Sequence, residues 1–181
     1  MTNRFSSICR MVLLTLLFVE ISACDDEPSK KPFLLRSIAF GEDEAMPKTY
    51  TCGAGESPPL SFSQVPEEVQ SLAIIVEDID RISGPYTHWT LWNLPRRSVL
   101  VQDFETYPVE GATLGTADDG KTLGWLAPCP PEGETHRISF HAYGLDTTLD
   151  LPEGANSTLV QKTVDAHIIA EASLTAKAVG R

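Results

Sequence analysis

The sequence predicts a mainly β domain: an antiparallel two-sheet β-sandwich with a single helix near its C-terminus. Three observations predict it. Apolar runs at Leu72–Val76, His88–Leu94 and Ile138–Leu145 are of strand length. Each is bounded by clusters of Gly, Pro, Asp and Ser that suit turns. Helical spacing of apolar residues is evident late, after Asn156, and no repeat or low-complexity tract interrupts the pattern.

In order, the chain opens with Arg4 and Arg10, an apolar core from Met11 to Val19, and Ile21-Ser22-Ala23-Cys24. That core is too short for a permanent membrane span, and its basic flank fits a secretory signal. Its ending resembles a bacterial lipobox, whose cysteine is lipidated and becomes the new N-terminus. The expectation is therefore a lipoprotein-type signal peptide over residues 1–23 with Cys24 lipidated. A charged, proline-bounded tether over 24–32 and a folded domain over 33–181 follow. Such a chain is exported to the periplasm or cell envelope and meets the membrane through its anchor.

Within the domain, Phe33 to Phe40 reads as a first strand through Phe33, Leu35, Ile38 and Phe40. An acidic turn, Gly41 to Pro47, and a Gly/Pro-rich loop, Tyr50 to Pro59, lead to a short strand at Leu60–Phe62. After Pro66-Glu67-Glu68 comes Leu72–Val76, apolar on both faces, which predicts a central buried strand. From His88, alternation assigns His88, Thr90, Trp92 and Leu94 to one face and Trp89, Leu91 and Asn93 to the other. Arg96 to Asp119 reads as irregular, and Asp119-Gly120 as a tight turn. His136 shares parity with Ile138, Phe140 and Ala142, so it extends an apolar face, whereas His141 has the opposite parity. Asn156-Ser157-Thr158 offers an N-cap, and Leu159, Val160, Val164 and Ile168 predict a helix from Ser157 to Ala170. An extended piece, Glu171 to Val179, closes the chain.

The length of 181 residues suits one domain with a substantial core. Formal net charge is -11; residues 1–23 contribute Arg4, Arg10 and Glu20, a net +1, so the chain from Cys24 carries -12. That argues against nucleic acid and against electrostatic adhesion to anionic lipid, while leaving room for a local cationic pocket. With Cys9 in the signal and Cys24 acylated, Cys52 and Cys129 remain, each beside turn residues. In an oxidising compartment they are disulfide candidates.

Two fragments carry the chemistry. The first runs from Leu72 to Pro95, where an apolar run ends in Glu77, Asp78 and Asp80, and His88 opens the next run. Adjacent strands joined this way set a carboxylate beside an imidazole at one rim of a sheet. Asp78 shares parity with Ile74 and Val76, which predicts burial. The second, Pro128 to Arg137, brings another imidazole, His136, and a guanidinium, Arg137. No close His pair or Cys-x-x-Cys supports a metal, so neither metal nor cofactor is expected. No Gly-x-Ser-x-Gly elbow marks a nucleophile, and Cys129 between prolines reads as structural, so catalysis is not expected. On their own residues, His88 and His136 also read as core histidines bonded to backbone.

These fragments, taken together, resemble the phosphatidylethanolamine-binding protein family, especially its bacterial Raf-kinase-inhibitor-like branch, over about Ile38 to Val179. Ser57-Pro58-Pro59-Leu60-Ser61 resembles its early S-P-P-L segment, and Asp78-Ile79-Asp80 the start of its D-P-D-A-P motif. His88-Trp89 is similar to its H-W pair, and Pro128-Cys129-Pro130-Pro131 with His136-Arg137 to its P-C-P-P…H-R segment. The resemblance implies two antiparallel sheets, a C-terminal helix and a pocket at one end for a small anionic, phosphate-like ligand. It implies that Asp78, Tyr86, His88, Pro130, Pro131 and His136 fall on that pocket, with the histidines donating and Asp78 orienting an imidazole. A protein-interaction or inhibitor module with an envelope partner is the alternative. Three departures stand out: Arg81-Ile82 in place of A-P, Ile138 in place of an aromatic, and Leu126-Ala127 in place of a glycine pair that would widen the pocket mouth.

Overall fold

A computed structural model describes residues 32–52, 55–96 and 103–180, which fall in one unit, Lys31–Arg181. Its strands are β1 (Leu34–Arg36), β2 (Ser61–Ser63), β3 (Ser71–Asp78), β4 (Tyr86–Pro95), β5 (Thr113–Leu114), β6 (Thr135–Leu145) and β7 (Ile168–Val179). A helix, α1 (Ser157–Asp165), precedes β7. Strands β1 and β2 form a two-stranded sheet, and the other five lie in the order β5-β4-β3-β6-β7. Every strand pairing is antiparallel.

Strand β3 occupies the middle of the larger sheet, and Leu72 to Val76 are at most 1% exposed. Its two faces serve two separate cores. Leu72, Ile74 and Val76 join Trp89, Leu91, Phe140 and Leu174 against Leu35 and Phe62 of the small sheet. Ala73 and Ile75 join Trp92, Leu145 and Leu149 beneath Val160 and Val164 of α1. That double coverage is why the run is apolar without alternation. Each large aliphatic buried here stabilises by about 1.5–3 kcal/mol.

The first strand is shorter than its sequence predicts. The Ser37 hydroxyl accepts from Ala39 N at 3.1 Å, which turns the chain, and Ile38 is left 80% exposed. The helix is shorter too, ending at Asp165 rather than Ala170. Asn156 caps its start by accepting from Leu159 N at 2.9 Å. At the other end Ile168 leaves the helix to pair with Leu145 of β6. It still packs against the cluster under α1, so its spacing imitates another helical turn.

Strand β4 breaks the expected alternation. Leu72 pairs with Leu94 but Ile74 with Leu91, so β4 holds one extra residue across that interval. Asn93 absorbs it at φ 58°, and its amide bonds Leu149 both ways, receiving from Leu149 N at 2.7 Å and donating to Leu149 O at 3.0 Å. Leu94 thereby turns to the same core as Trp89 and Leu91, away from Trp92. Asn93→Ala should cost about 2–4 kcal/mol, combining the left-handed penalty with lost hydrogen bonds, and Asn93→Gly should cost less. Urea unfolding of both variants checks this; equal losses would mean the backbone conformation carries no part of the effect.

Candidate functional site

The site begins where β3 runs out. Asp78, 4% exposed, lies between Tyr86 of β4 and Ile138 of β6. Beside it β4 bulges again: Val76 pairs with Trp89 and Glu77 with Thr87, leaving His88 as the extra residue. Bulges of this kind re-aim a side chain at a sheet end. A neighbouring loop clamps this one, as Thr87 N donates to Asp118 Oδ2 at 2.8 Å and Asp118 N to Thr87 O at 3.0 Å.

The buried carboxylate is paired. Asp78 Oδ2 lies 2.7 Å from His136 Nδ1, and its Oδ1 accepts from Asp80 N at 3.0 Å. The second ring nitrogen of His136, Nε2, lies 3.0 Å from Glu134 Oε2. A carboxylate on each nitrogen favours the doubly protonated imidazolium. The Asp78 hydrogen bond is the foremost cause of a pKa above the ordinary histidine value; burial opposes it and the Glu134 hydrogen bond adds to it. Next door Asp80 takes Arg137 in a fork, accepting from Nη2 at 2.7 Å, from Nε at 3.0 Å and from the backbone N at 2.7 Å. Those bonds to Arg137 lower the Asp80 pKa to about 2. Arg137 is thus committed to Asp80 and does not line the cavity beside Asp78.

His88 is held differently. Its Nδ1 donates to Leu126 O at 2.7 Å, and Leu126 N donates back to His88 O at 2.9 Å. The ring is 5% exposed, and burial is the foremost cause of a pKa below the ordinary histidine value. Its Nε2 is buried without a hydrogen-bond partner in the protein. Leu126 therefore stands against His88, neither Leu126 nor Ala127 lines the cavity, and Ile138 is fully buried in the main core.

The facing wall is built from the loop before β6. Cys52 and Cys129 are joined by a disulfide, and Cys52 N donates to Pro128 O at 3.2 Å. Glu105 braces the segment from below, accepting from Ser57 Oγ at 3.0 Å and from Trp125 N at 2.8 Å. Gly180 closes the back: a Cβ there would fall 1.8 Å from Pro131 O, so glycine alone fits.

Between these walls lies a cavity of about 570 Å³. Asp78, His88, Pro130, Pro131 and His136 all line it. Tyr86 does not; its ring meets His88 edge-on at 5.2 Å and carries the Arg81 guanidinium 4.0 Å from its centroid. Arg81, Ile82 and Glu134 are lining residues that sequence reasoning did not single out as site residues. Glu134 was findable by parity, standing two residues before His136 at a strand start. Arg81 and Ile82 were visible as departures from D-P-D-A-P, but their direction depends on a turn. Among the described residues no peptide bond is cis, no group of acidic, His or Cys side chains is arranged to hold a metal, and no helix is long and apolar enough to cross a membrane.

An antiparallel β-sandwich carrying a helix on one face, with its cavity at the ends of the central strands, is a binding-protein fold shared with solved structures. The chain belongs to the phosphatidylethanolamine-binding protein family, whose model it matches over residues 36–179. It is 42% identical over 145 residues to a UPF0098 protein of Methanothermobacter thermautotrophicus, covering 77% of this chain and 94% of that one. A UPF0098 protein of Chlamydia trachomatis is 43% identical over 147 residues, with the same coverage of each chain. In three dimensions it is similar to the family homolog CT736 from Chlamydia trachomatis, with TM-score 0.72 and 38% identity over 81% of this chain and 96% of that one. It is also similar to E. coli YbcL, a member of the mammalian PEBP family, with TM-score 0.78 and 25% identity over 83% of this chain and all of that one.

The pairing has a pH signature. A histidine whose folded pKa is raised contributes stability that is complete below its unfolded value, about 6.5, and is lost as pH rises through the folded value. Asp78→Asn should therefore destabilise by about 1.5–3 kcal/mol near pH 6 and by less near pH 9. Denaturant unfolding at both pH values tests it. A penalty independent of pH would mean that Asp78 does not stabilise a charged His136.

Proposed function

We propose that this chain is an exported, lipid-anchored binding protein that holds a small anionic, phosphate-like group in the cavity bounded by Asp78, His88 and His136. One observation carries the reading: a carboxylate, Glu134 Oε2, already meets His136 Nε2 at 3.0 Å from within the cavity lining. An oxyanion is what that nitrogen accommodates, and a ligand oxygen can replace the Glu134 side chain, which is 54% exposed. Asp78 on Nδ1 keeps the ring oriented and charged, and Arg81 brings a second cation to the same cavity. Charge-assisted hydrogen bonds of this kind are about twice as strong as neutral ones. Pro130 and Pro131 add rigid apolar wall. The lining supports holding over reacting: its one sulfur side chain, Cys129, is bound in the disulfide with Cys52 and offers no thiolate.

Titration of the purified protein with inorganic phosphate tests the site. His136→Ala should weaken binding by about 1.5–3 kcal/mol, and His141→Ala, on the opposite sheet face, should change it little. Glu134→Gln removes the internal competitor and should tighten binding roughly tenfold, whereas Glu132→Gln, the same charge change outside the lining, should not. Equal behaviour of all four variants would remove these residues from any anion site.

The export and anchoring part rests on Ile21-Ser22-Ala23-Cys24, which lies outside the described residues. Two or three acyl chains hold a protein durably to a bilayer, where one is marginal. Intact-mass analysis of membrane-extracted protein should find diacylglyceryl on Cys24. A soluble product beginning at another residue would remove the anchor from the reading.

A further inference from the structure

We propose that Cys129 is a thiol-modification site. A small thiol, acting as its thiolate, attacks the Cys129 sulfur of the Cys52–Cys129 disulfide. A mixed disulfide forms on Cys129 as the original S–S bond breaks, and Cys52 leaves as a thiolate that takes a proton from solvent. One disulfide replaces another, so no outside oxidant is needed. The reaction is independent of whether an anion binds in the cavity.

A bonded sulfur offers no thiolate of its own, but it is the electrophile when another thiolate arrives. The two ends of this bond are not equally reachable. Cys129 is exposed and lines the cavity, and its side chain is only a methylene and the sulfur. Cys52 is half-buried and is not among the lining residues. Attack therefore falls on Cys129, with Cys52 as the leaving group. The cavity, at about 570 Å³, has the size of a small-molecule site and has room for a thiol of tripeptide size.

The backbone of Cys52 favours its departure. Its φ of 29° lies in the left-handed region, where a residue with a Cβ is disfavoured, and opening the bond lets it relax. The Cys52 sulfur lies 4.0 Å from Pro128 O, which can accept from the thiol once it forms. The wall that carries Cys129 has other attachments. Leu126 is bonded to His88 in both directions, Glu134 N donates to Pro131 O at 3.0 Å, and Gly180 N donates to Glu134 O at 2.8 Å. The wall therefore stands when the bond opens, and an adduct on Cys129 takes up cavity space. Exposed or strained disulfides are the labile ones, and this bond is exposed at one end and strained at the other.

The test incubates the folded, disulfide-bonded protein with reduced glutathione at about pH 8, where part of the glutathione is thiolate. Samples are quenched in acid, denatured and capped with N-ethylmaleimide before peptide mapping. The first product should carry glutathione on Cys129 and the maleimide on Cys52. It should form no more than about tenfold more slowly than in the urea-unfolded chain, because an exposed sulfur needs no unfolding to react. Glutathione found on Cys52 in equal or greater amount overturns the assignment. So does cleavage slower than that limit, with a rate that climbs in urea too dilute to unfold the protein, since the bond would then open only through partial unfolding.

Discussion

The structure depends on one constraint: a strand buried on both faces ends in a carboxylate. Strand β3 supplies apolar side chains to the core between the sheets and to the core beneath α1, so its position at the sheet centre is set by hydrophobic burial. Carrying the strand on to Asp78 then places an acid where water is scarce, and an isolated buried charge is too costly to persist. The β3–β6 register resolves this. With Asp78 opposite Ile138, His136 falls within reach of Asp78, and Arg137 falls beside Asp80. A one-residue slip would break both pairs and turn the apolar face of β6 outward. Folding and site assembly therefore answer to the same register.

Strand β4 performs a second adjustment. A regular ten-residue strand would send alternate side chains strictly to opposite cores. Two extra residues, one absorbed at Asn93 and one at His88, break the alternation at each end. At Asn93 the break keeps Leu94 with the main core, and the cost of a left-handed backbone is offset by two amide bonds to Leu149. At His88 it frees the residue from cross-strand pairing, so its ring can be tied by Leu126 instead. The first bulge serves packing. The second serves the cavity.

What was legible in the residues follows from this physics. Burial of Leu72–Val76, the shared face of His136 with Ile138, Phe140 and Ala142, and the buried tryptophans all follow from local apolar patterning. The five lining residues among those singled out from sequence are held by strand ends and prolines, which leave short-range marks. Bulges leave none, so the face assigned to Leu94 came out wrong. The helix was overextended because Ile168 packs on the same cluster from a strand. Arg137 drew notice as a pocket cation because its acidic partner, Asp80, is 57 positions away in sequence and beside it in space. Arg81 and Glu134 enter the cavity from turns, where side-chain direction is set by φ and ψ that no periodicity encodes.

A net charge of -11 opposes the collection of anions, and the distances answer that objection. At physiological ionic strength exposed charges are largely screened beyond about 8 Å. Most of the acidic surface therefore acts on the approach rate of an anion more than on its affinity once inside. Within the cavity the balance is local: Asp78 and Glu134 against Arg81 and a protonated His136. Asp78 is committed to Nδ1 of His136, where it sustains the charge of the ring. Glu134, exposed and attached to a turn, is the negative group able to yield its place. In the proposed anion site, affinity would be governed by one exchange, in which a ligand oxygen replaces Glu134 on Nε2 of His136. The net negative field would slow such an encounter, and the replaceable carboxylate would set how tightly it ends.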